Sequence, residues 1–317
     1  MIHSIISWDC CYRNFFHLIG SLAEQDYPKD QFEIIYVEQW SREQSDAFNH
    51  SMNLKSLGET VALYSDRINV QAVYLDKIHS PYHLGISNNA GIRMAKGKYI
   101  SVMDGDLLVE KDFLRKLEKA HEEKNCVLNL DRRYALGPAG VPESRWMEAE
   151  IDFERVLRQC TNQERIIPDK VENKGPMISA PQSWWKAVDG YDEHRIWSTG
   201  VSKSGQDVTR RLEMYCGKES IALPGTFSVH PYHPAGFNRG AAAEKLVLYA
   251  QQKIIDYSRE HGITKVKQRE AYVEKIYTKY KWVIEANIQG KTNYFVQALS
   301  KSIDIYHRGL AKLKSAD

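Results

Sequence analysis

Two carboxylates one residue apart, Asp104 and Asp106, close the run Tyr99-Ile-Ser-Val-Met-Asp-Gly-Asp106. The run is mostly apolar and of strand length, so it reads as a buried strand with an acidic carboxyl end. Gly105 lets the backbone turn so that both side chains can face one point. Hard oxygen donors at this spacing suit Mg²⁺ or Mn²⁺ already carrying a diphosphate, because such ions take few protein ligands and keep phosphate and water in the remaining positions. Asp and Gly after a strand are also ordinary turn chemistry, so the triplet alone leaves both readings open.

The surrounding chain supplies the elements that would hold these groups. Ile2 to Trp8 reads as a buried strand, and residues 13–24 as a helix with Phe16, Leu18, Ile19 and Leu22 at near-helical spacing. Phe32 to Val37 is a second strand, with Glu38 at its end. Strand, helix, strand over so short a stretch is a βαβ unit, which implies a parallel sheet. Residues 41–67 read as a loop and a helix, Val70 to Leu75 as a third strand, and 85–96 as the helix leading into the Asp-Gly-Asp strand. In open α/β sheets ligands gather outside the carboxyl ends of the strands, and Asp104 and Asp106 fall at such an end. A helix over 110–124 and a strand over 126–130 follow, and from Asp131 to Asn173 the composition turns polar and irregular, as in an insertion.

A chain of 317 residues with 43% hydrophobic content can bury a large core. Its 43 Lys and Arg against 41 Asp and Glu leave a net charge of +2, too balanced for a nucleic-acid partner. The cysteines Cys10, Cys11, Cys126, Cys160 and Cys216 are odd in number and lack CxxC spacing, which points to free thiols in a reducing compartment. No apolar leader precedes the strand at Ile2 and no run reaches membrane-spanning length, so the expectation is a cytoplasmic protein, at most peripheral at a membrane. Residues 241–261, 267–287 and 294–314 carry helical apolar spacing, broken at Gly262 and Gly290. The last of these puts Leu299, Ile303, Tyr306, Leu310 and Leu313 on one face with lysines and arginine elsewhere. Such a face suits packing on the rest of the chain or on a second subunit as a homo-oligomer, or contact with an anionic membrane surface.

The stretch from His83 to Asp106, with Gly85, Asn89-Ala-Gly91, Ala95-Lys-Gly97 and the Asp-Gly-Asp triplet, resembles family 2 glycosyltransferases of the GT-A fold. Phe32 to Ser41 is similar to the same family's second strand, with Glu38 and Gln39 in place of its two aspartates and Trp40 in place of a glycine. Met177 to Glu193, ending Gly190-Tyr-Asp-Glu193, and Gly205-Gln-Asp207 resemble its acceptor half, with Gln206 where a glutamate is usual. The landmarks cover roughly residues 1–235 in family order.

The resemblance implies an α/β fold: a mixed, mostly parallel Rossmann-like sheet flanked by helices, with a C-terminal helical extension. It divides the chain into a catalytic domain over 1–240, with a nucleotide-binding half 1–106 and an acceptor half 107–240, and the extension 241–317. The implied activity is inverting transfer of a sugar from a nucleotide-diphosphate sugar, a UDP-sugar first, to an acceptor hydroxyl of a glycan or glycoconjugate. The implied cofactor is Mn²⁺ or Mg²⁺ on Asp104 and Asp106, with His230, or else His233, as third ligand. Ser7, Asp9, Glu38, Asn89, Arg93, Asp104 and Gly105 are the implied nucleotide contacts, and Glu38 could accept from a pyrimidine imide N–H. Asp207, near a helix start, is the implied general base. Trp184, Trp185 and Trp197 could stack on acceptor sugar rings. Bland readings stand beside these: a helix cap for Asp207, a proline-flanked turn for the histidines, core packing for the tryptophans, a tied helix start for Asn88 and Asn89, and solvated surface for Lys203, Arg210 and Arg211. A non-catalytic nucleotide-binding or scaffold protein of the same fold is the alternative function, favoured by the altered Glu38, Gln39 and Gln206.

Overall fold

The computed structural model describes residues 1–9, 15–51, 55–75, 83–105, 107–135, 165–166, 176–199, 202–231 and 241–288. The first βαβ unit forms where the apolar spacing places it, as β1 (His3–Asp9), α1 (Phe15–Ala23) and β2 (Phe32–Glu38). Residues 41–67 hold two helices rather than one, α2 (Arg42–Ser51) and α3 (Leu57–Tyr64). The second start is written in Ser56-Leu-Gly-Glu59: the Ser56 hydroxyl accepts from the Glu59 N–H while the Glu59 carboxylate accepts from the Ser56 N–H. Strand β3 (Asn69–Tyr74), α4 (Leu84–Met94) and β4 (Tyr99–Asp104) follow.

Beyond β4 come a two-residue strand β5 (Leu108–Val109), α5 (Phe113–Lys124), β6 (Leu128–Ala135), a second two-residue strand β7 (Arg165–Ile166), β8 (Met177–Pro181) and α6 (Gln182–Ala187). Helix α7 (Ser204–Cys216) and β9 (Ile221–Pro231) complete the sheet region. The polarity of Asp131 to Ala135 suggests an irregular insertion, yet β6 runs through it. A register shift between Asn129 and Asp131 lets the strand bend and go on pairing in parallel with β9. Most of the insertion and the segment from 289 onward, including the basic amphipathic helix expected there, lie outside the described residues.

Among the described residues the sheet runs β3-β2-β1-β4-β8-β6-β9-β5, with β7 against β6. Pairing is parallel from β3 to β4 and antiparallel from β4 to β8 and from β8 to β6. Alternate residues of each strand face opposite layers. Ile5, Ile34, Tyr36 and Met103 pack under α1, α3 and α5, while Ile6, Ile35, Val37, Ile100 and Val102 pack under α4, α6 and α7. Helix α4 lies directly on β1, since a Cβ on Gly91 would sit 2.5 Å from Ile6 Cγ2.

The extension forms α8 (Ala241–Glu260) and α9 (Glu270–Ile288), joined through a 3₁₀ turn Val266–Arg269. Its core is continuous with the rest of the chain: Ile196 and Trp197, from a 3₁₀ turn beside the sheet, are packed among Leu246, Ala250, Ile254, Val273 and Ile284. Arg195 adds a two-pronged ion pair to Glu285, at 2.6 and 2.7 Å. No helix among the described residues is long and apolar enough to cross a membrane.

Two histidines are buried without charge, His3 on β1 and His121 on α5. Burial and then the nearby His121 push the His3 ring down to about 3, and burial and then Lys98 push His121 to about 3. Each takes a proton near its ordinary value of about 6.5 once unfolded, so its contribution to stability is present above that pH and lost as the pH falls towards the folded value. The melting temperature is therefore expected to drop steadily between about pH 6.5 and about pH 4; a flat profile across that window in thermal scans would contradict the neutral burial of these rings.

Candidate active site

Parallel pairing brings three acidic strand ends side by side. Asp9 lies opposite Glu38, and Trp8 lies opposite Asp104. Asp104 is half-buried at the last position of β4, and Asp106 lies outside the described residues. The intervening Gly105 sits so close to the sheet that a Cβ there would fall 2.1 Å from the Tyr36 hydroxyl and 3.1 Å from Ser7 Oγ. Close approach of backbone to floor, beyond turn formation, is what this position demands of glycine.

The floor residues differ from the expected nucleotide contacts. Ser7 is buried and its hydroxyl donates to the Met103 carbonyl at 3.0 Å, fastening β1 to β4 rather than facing a pocket. Glu38 is also buried; its carboxylate accepts from Ser45 Oγ at 2.8 Å and so holds the start of α2. A base imide would have to displace that contact to reach it. Of Asp9 the structure describes the backbone. Gln39, which stands for an aspartate of the family pattern, bridges to α4: its Nε2 donates to Ser87 Oγ at 2.7 Å and its Oε1 accepts from the His83 N–H at 3.2 Å. Gln39 and His83 were absent from the expected site. The signal for Gln39 was its place at an aspartate of the family pattern, and that for His83 was its position just before a helix.

The start of α4 is pinned to the Tyr191–His194 turn. Asn89 Oδ1 accepts from the Tyr191 N–H at 2.8 Å, and its Nδ2 donates to the Tyr191 carbonyl at 2.9 Å and to Glu193 at 2.8 Å. Its amide thus ties two elements together, as in the reading of Asn89 as a tied helix start. Arg93 pairs with the same Glu193 oxygen at 3.0 Å on an exposed face. His83 Nε2 lies 3.0 Å from the Glu193 carbonyl, which can only accept, so the ring carries its proton there and its Nδ1 accepts from the Ile86 N–H. Burial holds this imidazole below its ordinary pKa, consistent with the neutral form. The Tyr191 phenol is buried and its pKa is pushed upward, first by burial and then by the negative charge of Asp104.

Asp207 is not an open helix-start carboxylate. It is buried between two guanidinium groups. Arg269 donates through both Nη atoms to its two oxygens, the Nη2 contact at 2.7 Å, and Arg211 Nε donates at 3.1 Å. Burial raises its pKa, but Arg269 and Arg211 outweigh that and hold it below the usual carboxylate range. An acceptor hydroxyl has no access to it in this arrangement. Arg211, expected at the surface, is fully buried and also donates to the Val188 and Gly190 carbonyls. Trp185 and Trp197 have no exposed surface: the first donates Nε1–H to the Ile100 carbonyl at 3.1 Å, and the second fills the core shared with α8 and α9. Neither can stack on a sugar. Trp184 keeps a partly exposed ring, set edge-on to Tyr215 at the far end of α7 from Asp207.

For a divalent ion the strand end offers a donor of suitable kind, the carboxylate of Asp104. Among the described residues no group of three or more His, Cys, Asp or Glu side chains could hold a metal. His230 is placed by its backbone on β9: the preceding Val229 pairs with Leu108, two residues after Asp106. His233 lies outside the described residues.

Residues 72–170 match the family described as Glycosyl transferase family 2. Poly(ribitol-phosphate) beta-N-acetylglucosaminyltransferase TarS of Staphylococcus aureus is 24% identical over 131 residues, which are 41% of this chain and 20% of that protein. A poly(ribitol-phosphate) beta-glucosyltransferase of Bacillus spizizenii is 27% identical over 212 residues, 67% of this chain and 29% of that one. The chain thus spans less than a third of the length of these curated relatives. A crystal structure of S. aureus TarS 1-349 in complex with UDP-GlcNAc has the same fold, with a TM-score of 0.51 and 15% identity over 92% of this chain and 84% of that one. The sheet order and flanking helices are those of the GT-A fold, and the match to the family 2 glycosyltransferases covers residues 72–170.

Gly105→Ala is expected to abolish binding of a metal–nucleotide complex, because the added methyl meets the buried Tyr36 ring and must shift the Asp104 turn. Calorimetric titration of the variant with UDP and Mn²⁺ checks this, and wild-type affinity would refute the close approach.

Proposed function

We propose that this chain transfers a sugar from a nucleotide-diphosphate sugar, a UDP-sugar, to an acceptor hydroxyl in polysaccharide or glycoconjugate synthesis. The observation that carries the reading is the position of Asp104-Gly105: they end a parallel strand beside the ends of β1 and β2, inside the family-matched segment. The names of the similar proteins support a polyol-phosphate polymer as acceptor, and the TarS complex supports UDP as the nucleotide. Asp104 and Asp106 would hold Mg²⁺ or Mn²⁺, with His230 the third ligand on its β9 position. The ion would supply positive charge against the leaving diphosphate.

The chain's own groups do the rest. The α4 start is fixed to the end of β2 by Gln39, through Ser87 and the His83 N–H. Transfer by a single displacement inverts the anomeric centre and requires a base on the acceptor side. For Asp207 to take that proton, Arg269 and Arg211 must first give up its carboxylate. The observed geometry favours a holding role for it instead.

A second reading, a nucleotide-binding protein without turnover, is favoured by the same enclosure of Asp207 and by the engaged Glu38. Two measurements decide between them. Calorimetric titration with UDP, GDP and dTDP, each with Mn²⁺, with Mg²⁺ and with chelator, is expected to show UDP binding that needs metal and is lost in Asp106→Ala. Turnover of UDP-GlcNAc or UDP-glucose on poly(ribitol phosphate) then supports the transferase. Binding without turnover supports the second reading, and no binding under any condition overturns both.

A further inference from the structure

We propose that Arg269, carried on the C-terminal helical extension, is a positioning residue for the donor pocket, holding the Tyr191–His194 turn and through it the start of α4. The inference rests on the reading of the strand ends as a nucleotide-sugar site. Arg269 is 1% exposed, its guanidinium stands 5.8 Å from the Trp197 ring centre, and its Nη1 also donates to Ser258 Oγ at 3.0 Å. Its Nη2 bridges two carboxylates, donating to Asp192 at 2.8 Å and to Asp207 at 2.7 Å. Two acids and two guanidinium groups, Asp192 and Asp207 with Arg269 and Arg211, therefore share one buried site.

From Asp192 the contacts continue without a gap to the strand ends. The other Asp192 oxygen accepts from the His194 N–H at 2.9 Å, closing the turn. The turn is tied to α4 by Asn89 on either side of Tyr191 and by His83 to Glu193. His83 and Ser87 are tied in turn to Gln39, at the end of β2. A planar fork suits the head of this path, because its separate nitrogens meet both oxygens of Asp207 and one of Asp192 in a fixed geometry that a single ammonium does not impose. The extension thereby becomes a working part of the pocket rather than an appendage.

The control is Arg195, which docks the same extension through Glu285 and has no contact with Asp192. R269Q, R269K, D192N and R195Q are compared with wild type by thermal melting, by amide exchange over residues 83–94 and by calorimetric affinity for UDP with Mn²⁺. The donor KM and kcat are measured in parallel. R269Q and D192N are expected to speed exchange in 83–94 and to raise the UDP dissociation constant and donor KM by about tenfold, with R269K recovering part of the loss. R195Q is expected to lower the melting temperature while leaving the donor KM within about twofold. Where R269Q does not fold, R269K and D192N decide by the same criteria. Folded variants with wild-type exchange and affinity overturn the proposal, as does an R195Q whose pocket is disturbed as much as that of R269Q. Should wild type bind no nucleotide, the functional reading fails, while exchange over 83–94 still judges the coupling.

Discussion

A guanidinium group fully removed from water is stable only where carboxylates meet it, and this protein buries two of them in one place. Arg211 and Arg269 are enclosed with Asp207 and Asp192, and each arginine is further satisfied by backbone carbonyls or a hydroxyl. Removing one member of such a set costs about 3–5 kcal/mol, because the charge left behind has nowhere to go. Elements far apart in sequence are obliged to meet here: the Tyr191–His194 turn, α7, α8 and the 3₁₀ turn that opens α9. The apolar core around Trp197 and Ile254 forms directly beneath this cluster and depends on the same docking.

The second constraint is the direction of the strands. Four neighbouring strands run in parallel from β3 to β4, so the crossover helices cover the two faces and the carboxyl ends gather at one edge. That edge collects Asp9, Glu38 and Asp104 although they are separated in the chain by tens of residues. Tyr36 and Ser7 pack closely against Gly105, and α4 is tied to the end of β2 through Gln39 and Ser87. Rigid support of this kind is what a pocket for a charged diphosphate needs, since small displacements of the holding groups are expensive in rate.

The two constraints meet in the Tyr191–His194 turn. One side of it meets the buried charges and the extension through Asp192, while the other is tied to α4 through Asn89 and His83. The acidic strand ends and the buried ion cluster are therefore joined by a short run of hydrogen bonds through this turn, α4 and Gln39. Asp207 and Asn89 illustrate the consequence, since both stand at positions the family pattern marks and both are fully engaged in holding other elements.

Local pattern was enough to read the strands near His3–Asp9, Phe32–Glu38 and Tyr99–Asp104, the helices α4 and α8, and the parallel sheet they imply, whereas the start of α7 came from the family resemblance. Apolar periodicity and βαβ spacing are set within a few residues of each element. The edge holding Asp104 was legible for the same reason, because a strand end is a local feature. Ser7, Glu38, Trp185, Trp197, Arg211 and Asp207 were read as pocket, surface or catalytic groups, and the structure buries all six. Residue type alone does not say whether a polar group faces solvent or a distant partner. Arg269 shows the limit most clearly, as it lies in a charged stretch with nothing in its neighbours to mark it, and its carboxylates are 62 and 77 residues away. The sequence by itself thus determined the fold family and the acidic strand end, whereas only the tertiary structure decided which charges are paired. Ion pairing inside a core depends on where separate segments come to rest, and that is not encoded at any single position.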